Sequence, residues 1–164
     1  MTNNYDDFVD AEIGKPMWGG SLPFRPRILL AEDEPDHQLV ISHMLREVGA
    51  DVVAVDNGQI AVDRALQAQE EGNAFDLILM DIGMPIMDGC LATRQLREAG
   101  YRLPVVAVTA NAMMGDREKF IAAGCNDYMS KPFAASELVN FVKRWVSVSR
   151  RAASRQVGFD GDYF

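Results

Sequence analysis

Five short, nearly continuous apolar runs set most of the limits on how this chain can fold. Arg27–Ala31 (RILLA), Val52–Val55, Phe75–Met80 (FDLILM), Pro104–Val108 (PVVAV) and Asp127–Met129 recur at roughly 24-residue intervals. Runs this short, with little polar alternation, suit strands buried on both faces. The stretches between them carry helical periods and helix stops. Val40, Met44, Leu45 and Val48 form one stripe closed by Gly49. Asn57 is placed to cap a second helix, with Ile60, Ala61, Ala65, Leu66 and Ala68 facing inward before Gly72. Asp88 opens a third, carrying Leu91, Leu96 and Ala99 up to Gly100. A fourth is expected over Met113–Ala123 before Gly124. A fifth is expected over Ser136–Val148, burying Leu138, Val139, Phe141, Val142 and Trp145. Strands alternating with helices in this way predict an α/β fold, a parallel sheet with helices on both faces. The units are too few for an eight-stranded barrel, so a doubly wound, five-stranded sandwich is expected.

Composition bounds the rest. The chain has 164 residues, 48% of them hydrophobic, which is enough for one folded domain and argues against overall disorder. The domain is expected over residues 27–148. Before it, Gly14, Pro16, Gly19, Gly20, Pro23 and Pro26 break any period, so residues 1–26 read as a flexible leader or linker. Trp18 and Phe24 are the side chains in it that could dock on a neighbouring surface. Residues 149–164 carry Arg150, Arg151 and Arg155 but no apolar stripe, and read as a flexible tail. The net charge of −8 sits mostly in the middle segment and opposes electrostatic capture of nucleic acid or an anionic membrane. Cys90 and Cys125 lack metal or disulfide spacing and are expected to be reduced thiols. No apolar stretch reaches the ~20 residues of a membrane span, and the N-terminus lacks a signal-peptide pattern. A soluble, cytoplasmic protein is therefore expected, and no separate effector domain is expected within these 164 residues, whether the domain stands alone or was cut from a longer hybrid kinase.

In doubly wound folds the working site lies beyond the carboxyl ends of the strands. There the first strand delivers Glu32 and Asp33, and the third delivers Asp81 followed by Ile82 and Gly83. The fourth delivers Thr109 and the small Ala110, and the fifth Ser130, Lys131 and Pro132. Acidic residues after a strand are commonly solvated caps, and Glu34 and Asp36 are read that way. Glu32, Asp33 and Asp81 stand at the ends of buried strands, where carboxylates are costly unless compensated. Gathered together they repel one another unless a cation sits among them. Oxygen ligands without His or Cys suit Mg²⁺. Cation, carboxylate, hydroxyl and ammonium are together the parts needed to carry a phosphoryl group onto an aspartate.

The string Met80-Asp81-Ile82-Gly83-Met84-Pro85-Ile86-Met87-Asp88-Gly89 is similar to the phospho-acceptor motif of the receiver domains of two-component response regulators. The resemblance covers residues 27–148 and implies a flavodoxin-like sheet in the order 2-1-3-4-5, with Asp81 as acceptor. It implies Asp33 as a direct Mg²⁺ ligand, Glu32 as a ligand through water, and the Gly83 carbonyl as a further ligand. Thr109 and Ala110 fit the switch hydroxyl and its small neighbour, and Tyr128 the rotating aromatic. Lys131-Pro132-Phe133 fits the conserved lysine and a proline whose peptide bond is usually cis. Gly83 and Asn111 occupy positions that tune phosphoryl lifetime. The AEDE string and VTANAMMGDREKFIAAGCNDYMSKPF resemble receivers of hybrid sensor histidine kinases most. Glu32 in place of an aspartate adds one methylene beside the metal.

The resemblance implies a histidine kinase or histidine phosphotransfer protein as donor. It implies output through the face of the fourth helix, fifth strand and fifth helix, with a homodimer through that face as a further expectation. Apart from self-phosphorylation and slow autodephosphorylation, no enzymatic role is expected. A phosphatase of the haloacid-dehalogenase type needs a second Asp two residues after the nucleophile, where this chain has Gly83. A P-loop is absent, and His37 and His43 lack the acidic neighbour of a kinase histidine, reading as helix-surface or helix-packing residues. A receiver-like scaffold that works without phosphorylation is the remaining alternative, although Asp81 and Lys131 are both present.

Overall fold

The computed structural model describes Leu22 and residues 24–157, with side chains through Ala152. Ten elements alternate: β1 Arg27–Ala31, α1 Pro35–Glu47, β2 Asp51–Val55, α2 Gly58–Glu70, β3 Leu77–Asp81, α3 Gly89–Glu98, β4 Val105–Thr109, α4 Asp116–Ala123, β5 Asp127–Ser130 and α5 Ala135–Val157. The strands form one parallel sheet in the order β2-β1-β3-β4-β5. The three central strands are almost wholly buried, which is why their sequences run apolar without alternation. Two cores follow, one on each face. Leu29, Ala31, Ile78, Met80 and Ala107 meet α2, α3 and α4 on one side. Ile28, Leu30, Leu77, Leu79 and Val108 meet α1 and α5 on the other.

The caps read from the sequence are present. Asn57 Oδ1 accepts from the Ile60 N–H at 3.0 Å and Asp88 Oδ1 from the Leu91 N–H at 2.9 Å. The helix faces differ in detail. On α1 the buried residues are Ile41, Ser42 and Leu45, while Val40 and Met44 are half-buried. On α2 the inward stripe is Gly58, Ala61, Val62, Ala65 and Ala68, with Ile60 exposed. On α5, Phe141 and Trp145 are half-buried rather than buried. Helix α4 begins three residues later than expected. Gly115 takes φ +95°, and a turn in which the Met113 N–H donates to Asp116 Oδ2 at 2.8 Å occupies the residues before it.

Packed structure extends beyond residues 27–148 at both ends. Helix α5 runs past Val148 to Val157, and Ser149 is buried. The Arg150 guanidinium lies 3.9 Å from the Phe24 ring and its Nε is 3.7 Å from Asp76. Leu22 is buried, and its N–H donates to the Val48 carbonyl at 2.9 Å. Leu22, Phe24 and the first residues after Val148 are thus packed on the domain, with an apolar ring and an ion pair doing the joining. Trp18 and residues 158–164 lie outside the described residues. Among the described residues, no helix is long and apolar enough to cross a membrane.

Candidate functional site

The parallel register brings the strand ends to one rim. Ala31 pairs with Met80, Asp81 with Val108, and Thr109 with Ser130, so Glu32, Asp81, Thr109 and Lys131 emerge side by side. The Glu32, Asp33 and Asp81 carboxylates offer oxygens that all lie within 4.8 Å of one another. Glu32 is 1% exposed and Asp81 is buried, while Asp33 stands further out. The Lys131 ammonium contacts both buried carboxylates: it hydrogen-bonds Glu32 and is 3.5 Å from Asp81 Oδ2. Burial pushes the Asp81 pKa up, the Glu32 charge adds to that, and Lys131 offsets part of it.

Local backbone geometry fixes the remaining groups. The Gly83 N–H donates to Asp81 Oδ1 at 3.3 Å, and Gly83 is exposed with open space where a side chain would be. The Gly83 position therefore adds no bulk beside the carboxylate. Thr109 is buried at the end of β4, and its Oγ1 accepts from the Asn111 N–H at 3.2 Å, which leaves the hydroxyl proton to donate elsewhere. The Thr109 carbonyl accepts from the Lys131 N–H at 2.7 Å, tying β4 to the lysine. Ala110 and Asn111 are exposed beside it. The Lys131–Pro132 peptide bond is cis, as the resemblance implied. Tyr128 is half-buried one strand away, its ring 6.0 Å from Phe120 of α4. It also lines an open groove of about 560 Å³ with Phe133, Phe141 and Arg144 along β5 and α5.

Two residues near the acidic group had no role in the sequence reading. His37, read as a surface or packing residue of its helix, places Nδ1 at 3.7 Å from Glu32 Oε1. Gln38 donates from one amide nitrogen to the Glu32 carbonyl at 3.0 Å and to the Val55 carbonyl at 3.1 Å. It closes the ladder where β1 and β2 end and holds the peptide that leads into Asp33. Only their position four to five residues past an acidic strand end, on the first turn of a helix, hints at this in the sequence.

The donor set suits a hard divalent cation. Among the described residues, the clustered ligand atoms are all carboxylate oxygens, with no cysteine among them, and the Lys131 ammonium contacts Glu32 and Asp81. Mg²⁺ fits such a site better than a thiolate- or imidazole-seeking ion.

Comparison with known proteins agrees with this arrangement. The family model described as "Response regulator receiver domain" matches residues 28–143. The sensor protein GacS of Pseudomonas syringae pv. syringae is 38% identical over 148 residues, covering 87% of this chain and 15% of that protein. The two-component response regulator ORR41 of Oryza sativa subsp. japonica is 41% identical over 114 residues, 68% of this chain and 87% of that protein. This chain therefore spans about a seventh of the GacS length and most of the shorter regulator. Among solved structures, the receiver domain of a sensor histidine kinase from Pseudomonas aeruginosa PAO1 is 44% identical with a TM-score of 0.67. The match covers 76% of this chain and 99% of that one, and that structure has a magnesium ion coordinated in its active-site cleft. Motif, strand order and sequence likeness converge: the chain belongs to the response regulator receiver domain family, and its relatives include the receivers of sensor histidine kinases.

Proposed function

We propose that Asp81 is the phospho-acceptor and that Mg²⁺ is the cofactor, held by Asp33, Asp81 and the Gly83 carbonyl directly and by Glu32 through water. The donor is the phosphohistidine of a histidine kinase or a histidine phosphotransfer protein. The observation that carries this reading is the convergence of three carboxylates with Lys131 on one rim beside a buried hydroxyl. An Asp81 carboxylate oxygen attacks phosphorus as the donor's N–P bond breaks, and the electron pair leaves with the imidazole. Bound Mg²⁺ supplies charge neutralisation at the phosphoryl oxygens. Lys131 exchanges its contact with Asp81 for one of those oxygens, and the Thr109 hydroxyl donates to another, with Ala110 leaving room for it. Gly83 and Asn111 border the product and set how readily water reaches it.

A phosphoryl group on Asp81 draws Thr109 toward it, and the vacated space lets the Tyr128 ring turn inward from the groove. The groove along β5 and α5 then changes shape, a population shift biased by local electrostatics. Output passes to a protein partner on the α4-β5-α5 face, and a homodimer through that face is one form of it. The chain acts as a stoichiometric acceptor with slow autodephosphorylation rather than as an enzyme. A donor charged from ATP places it in the cytoplasm. The test is incubation with acetyl phosphate and Mg²⁺ followed by intact mass. One phosphoryl adduct on the native chain, absent from Asp81→Ala, is expected. An adduct that survives in Asp81→Ala, or none on the native chain, refutes the assignment.

A further inference from the structure

The loop between β3 and α3 contains a residue that neither the core nor the carboxylate site explains. Ile86 has φ +68°, in the left-handed region that β-branched residues avoid. The Met87 N–H donates to the Pro85 carbonyl at 2.7 Å, so Ile86 is the centre of a three-residue turn of the rare positive-φ kind. The surroundings dictate that turn. Met84 and Met87 are buried on either side of it, and the Met87 carbonyl accepts from the Gly58 N–H at 3.1 Å. The chain must reverse between two anchored methionines, a task that Gly or Asn performs with less strain. The isoleucine side chain gives the fold nothing in return, being 84% exposed. A strained residue whose side chain leaves its own domain points to a contact outside it.

The position of Ile86 says which contact. It stands on the rim formed by the carboxyl ends of the strands. On the same rim, in the loop between β4 and α4, Met113 and Met114 are 77% and 104% exposed. Asp81 is buried at the foot of these loops. A protein that brings a phosphorylated histidine within bonding reach of its carboxylate must therefore lay its own surface on them. Glu34 and Asp36, exposed after β1, offer a phosphoryl group no attraction of their own. Apolar contact at the rim is the remaining means of holding such a donor, and a backbone already fixed by a constrained turn loses little entropy on docking.

We propose that Ile86, supported by Met113 and Met114, is the apolar anchor for the phosphohistidine-bearing donor, kept at a strained position because of that contact. This rests on the acceptor role proposed for Asp81 and adds the chemistry of the partner: an apolar patch beside its reactive histidine.

The experiment compares two phosphodonors on the full chain, acetyl phosphate and a panel of purified phosphorylated histidine phosphotransfer domains, using native protein, Ile86→Asn and Ile86→Val. Ile86→Asn is expected to melt at or above the native temperature and to accept from acetyl phosphate within about twofold of the native rate. Its transfer from the phosphohistidine domain that labels the native chain best is expected to slow by about tenfold or more, with Ile86→Val keeping most of the rate. A Met113→Ser, Met114→Ser variant is expected to slow the same transfer. Undiminished protein-to-protein transfer in Ile86→Asn overturns the proposal, as does an equal loss with both donors. Self-association of the chain that depends on Ile86, with donor transfer unchanged, overturns it in favour of a second copy. A native chain labelled by acetyl phosphate but by no phosphohistidine domain overturns the anchor and leaves the acceptor role standing. Failure of acetyl phosphate to label the native chain overturns the Asp81 reading itself.

Discussion

At the end of β3 the Asp81 carboxylate meets both low polarity and the Glu32 charge, and its pKa rises. A carboxyl with a raised folded pKa holds its proton longer in the native state than in the unfolded one. Ionising it as pH climbs above the ordinary carboxylate range therefore costs native stability. An amide has no such charge, so Asp81→Asn should melt about 2–5 °C above the native chain in metal-free buffer at neutral pH. Adding Mg²⁺ should raise the native melting temperature and close that gap, which calorimetry with and without chelator would check. Gln38 acts one step further out. Gln38→Met keeps the volume and removes both donors to the Glu32 and Val55 carbonyls. Because it frees the peptide leading into Asp33, Mg²⁺ affinity measured by titration calorimetry should fall by roughly tenfold. Phosphorylation by acetyl phosphate should recover at saturating Mg²⁺, which a general folding defect would not allow.

The elements hold these residues in place through close backbone approaches as much as through side chains. Helix α3 starts directly under the acceptor: a Cβ on Gly89 would lie 2.2 Å from the Asp81 carbonyl oxygen and 2.9 Å from Met80 Cγ. Backbone cannot yield there without moving β3. Gly89→Ala should cost about 1–3 kcal/mol in urea unfolding and reduce Asp81 labelling, because the clash displaces the acceptor itself. Arg97 does comparable work further along α3. It donates to the Tyr101 and Leu103 carbonyls at 2.8 Å each, to the Gly124 carbonyl at 2.9 Å and to Asn126 Oδ1 at 2.8 Å. One side chain thus ties α3 to the connections that lead into β4 and β5. The helix and strand sequence was legible because apolar runs and capping residues are local signals. The late start of α4 was not, since Met113 and Met114 belong to helical periodicity by composition and to a turn by the bond that the Met113 N–H donates to the Asp116 carboxylate.

For the molecule as a whole, the two cores set how the fold responds to alkali. Tyr101 is wholly buried with its hydroxyl 3.4 Å from the Phe75 carbonyl, and burial holds its ionisation well above the ordinary tyrosine value. Burial also pushes the Cys125 thiol up to about 11. Both groups keep their protons to higher pH when folded. The native chain therefore loses stability as pH rises past about 9 for Cys125 and about 10 for Tyr101, the values in the unfolded chain. Denaturation midpoints should fall steadily above that range, and less steeply in Tyr101→Phe; an unchanged slope would remove Tyr101 from the cause. Cys125 should also resist alkylation until the chain unfolds.

The sequence by itself determined the α/β class, the strand order's carrier runs and the acidic, hydroxyl and lysine residues of the rim. Each of these is written in local pattern or in a short motif. Tertiary structure alone decided what joins distant segments. It packed Phe24 under Arg150 and carried α5 past Val148. It set Lys131 against Glu32 across 99 residues, His37 beside that same carboxylate, and Ile86 in a strained turn between two buried methionines. The physical reason is the same throughout. Periodicity reports which face of an element meets apolar surroundings, whereas the partner of a charge or the sign of a loop dihedral depends on where other elements anchor it.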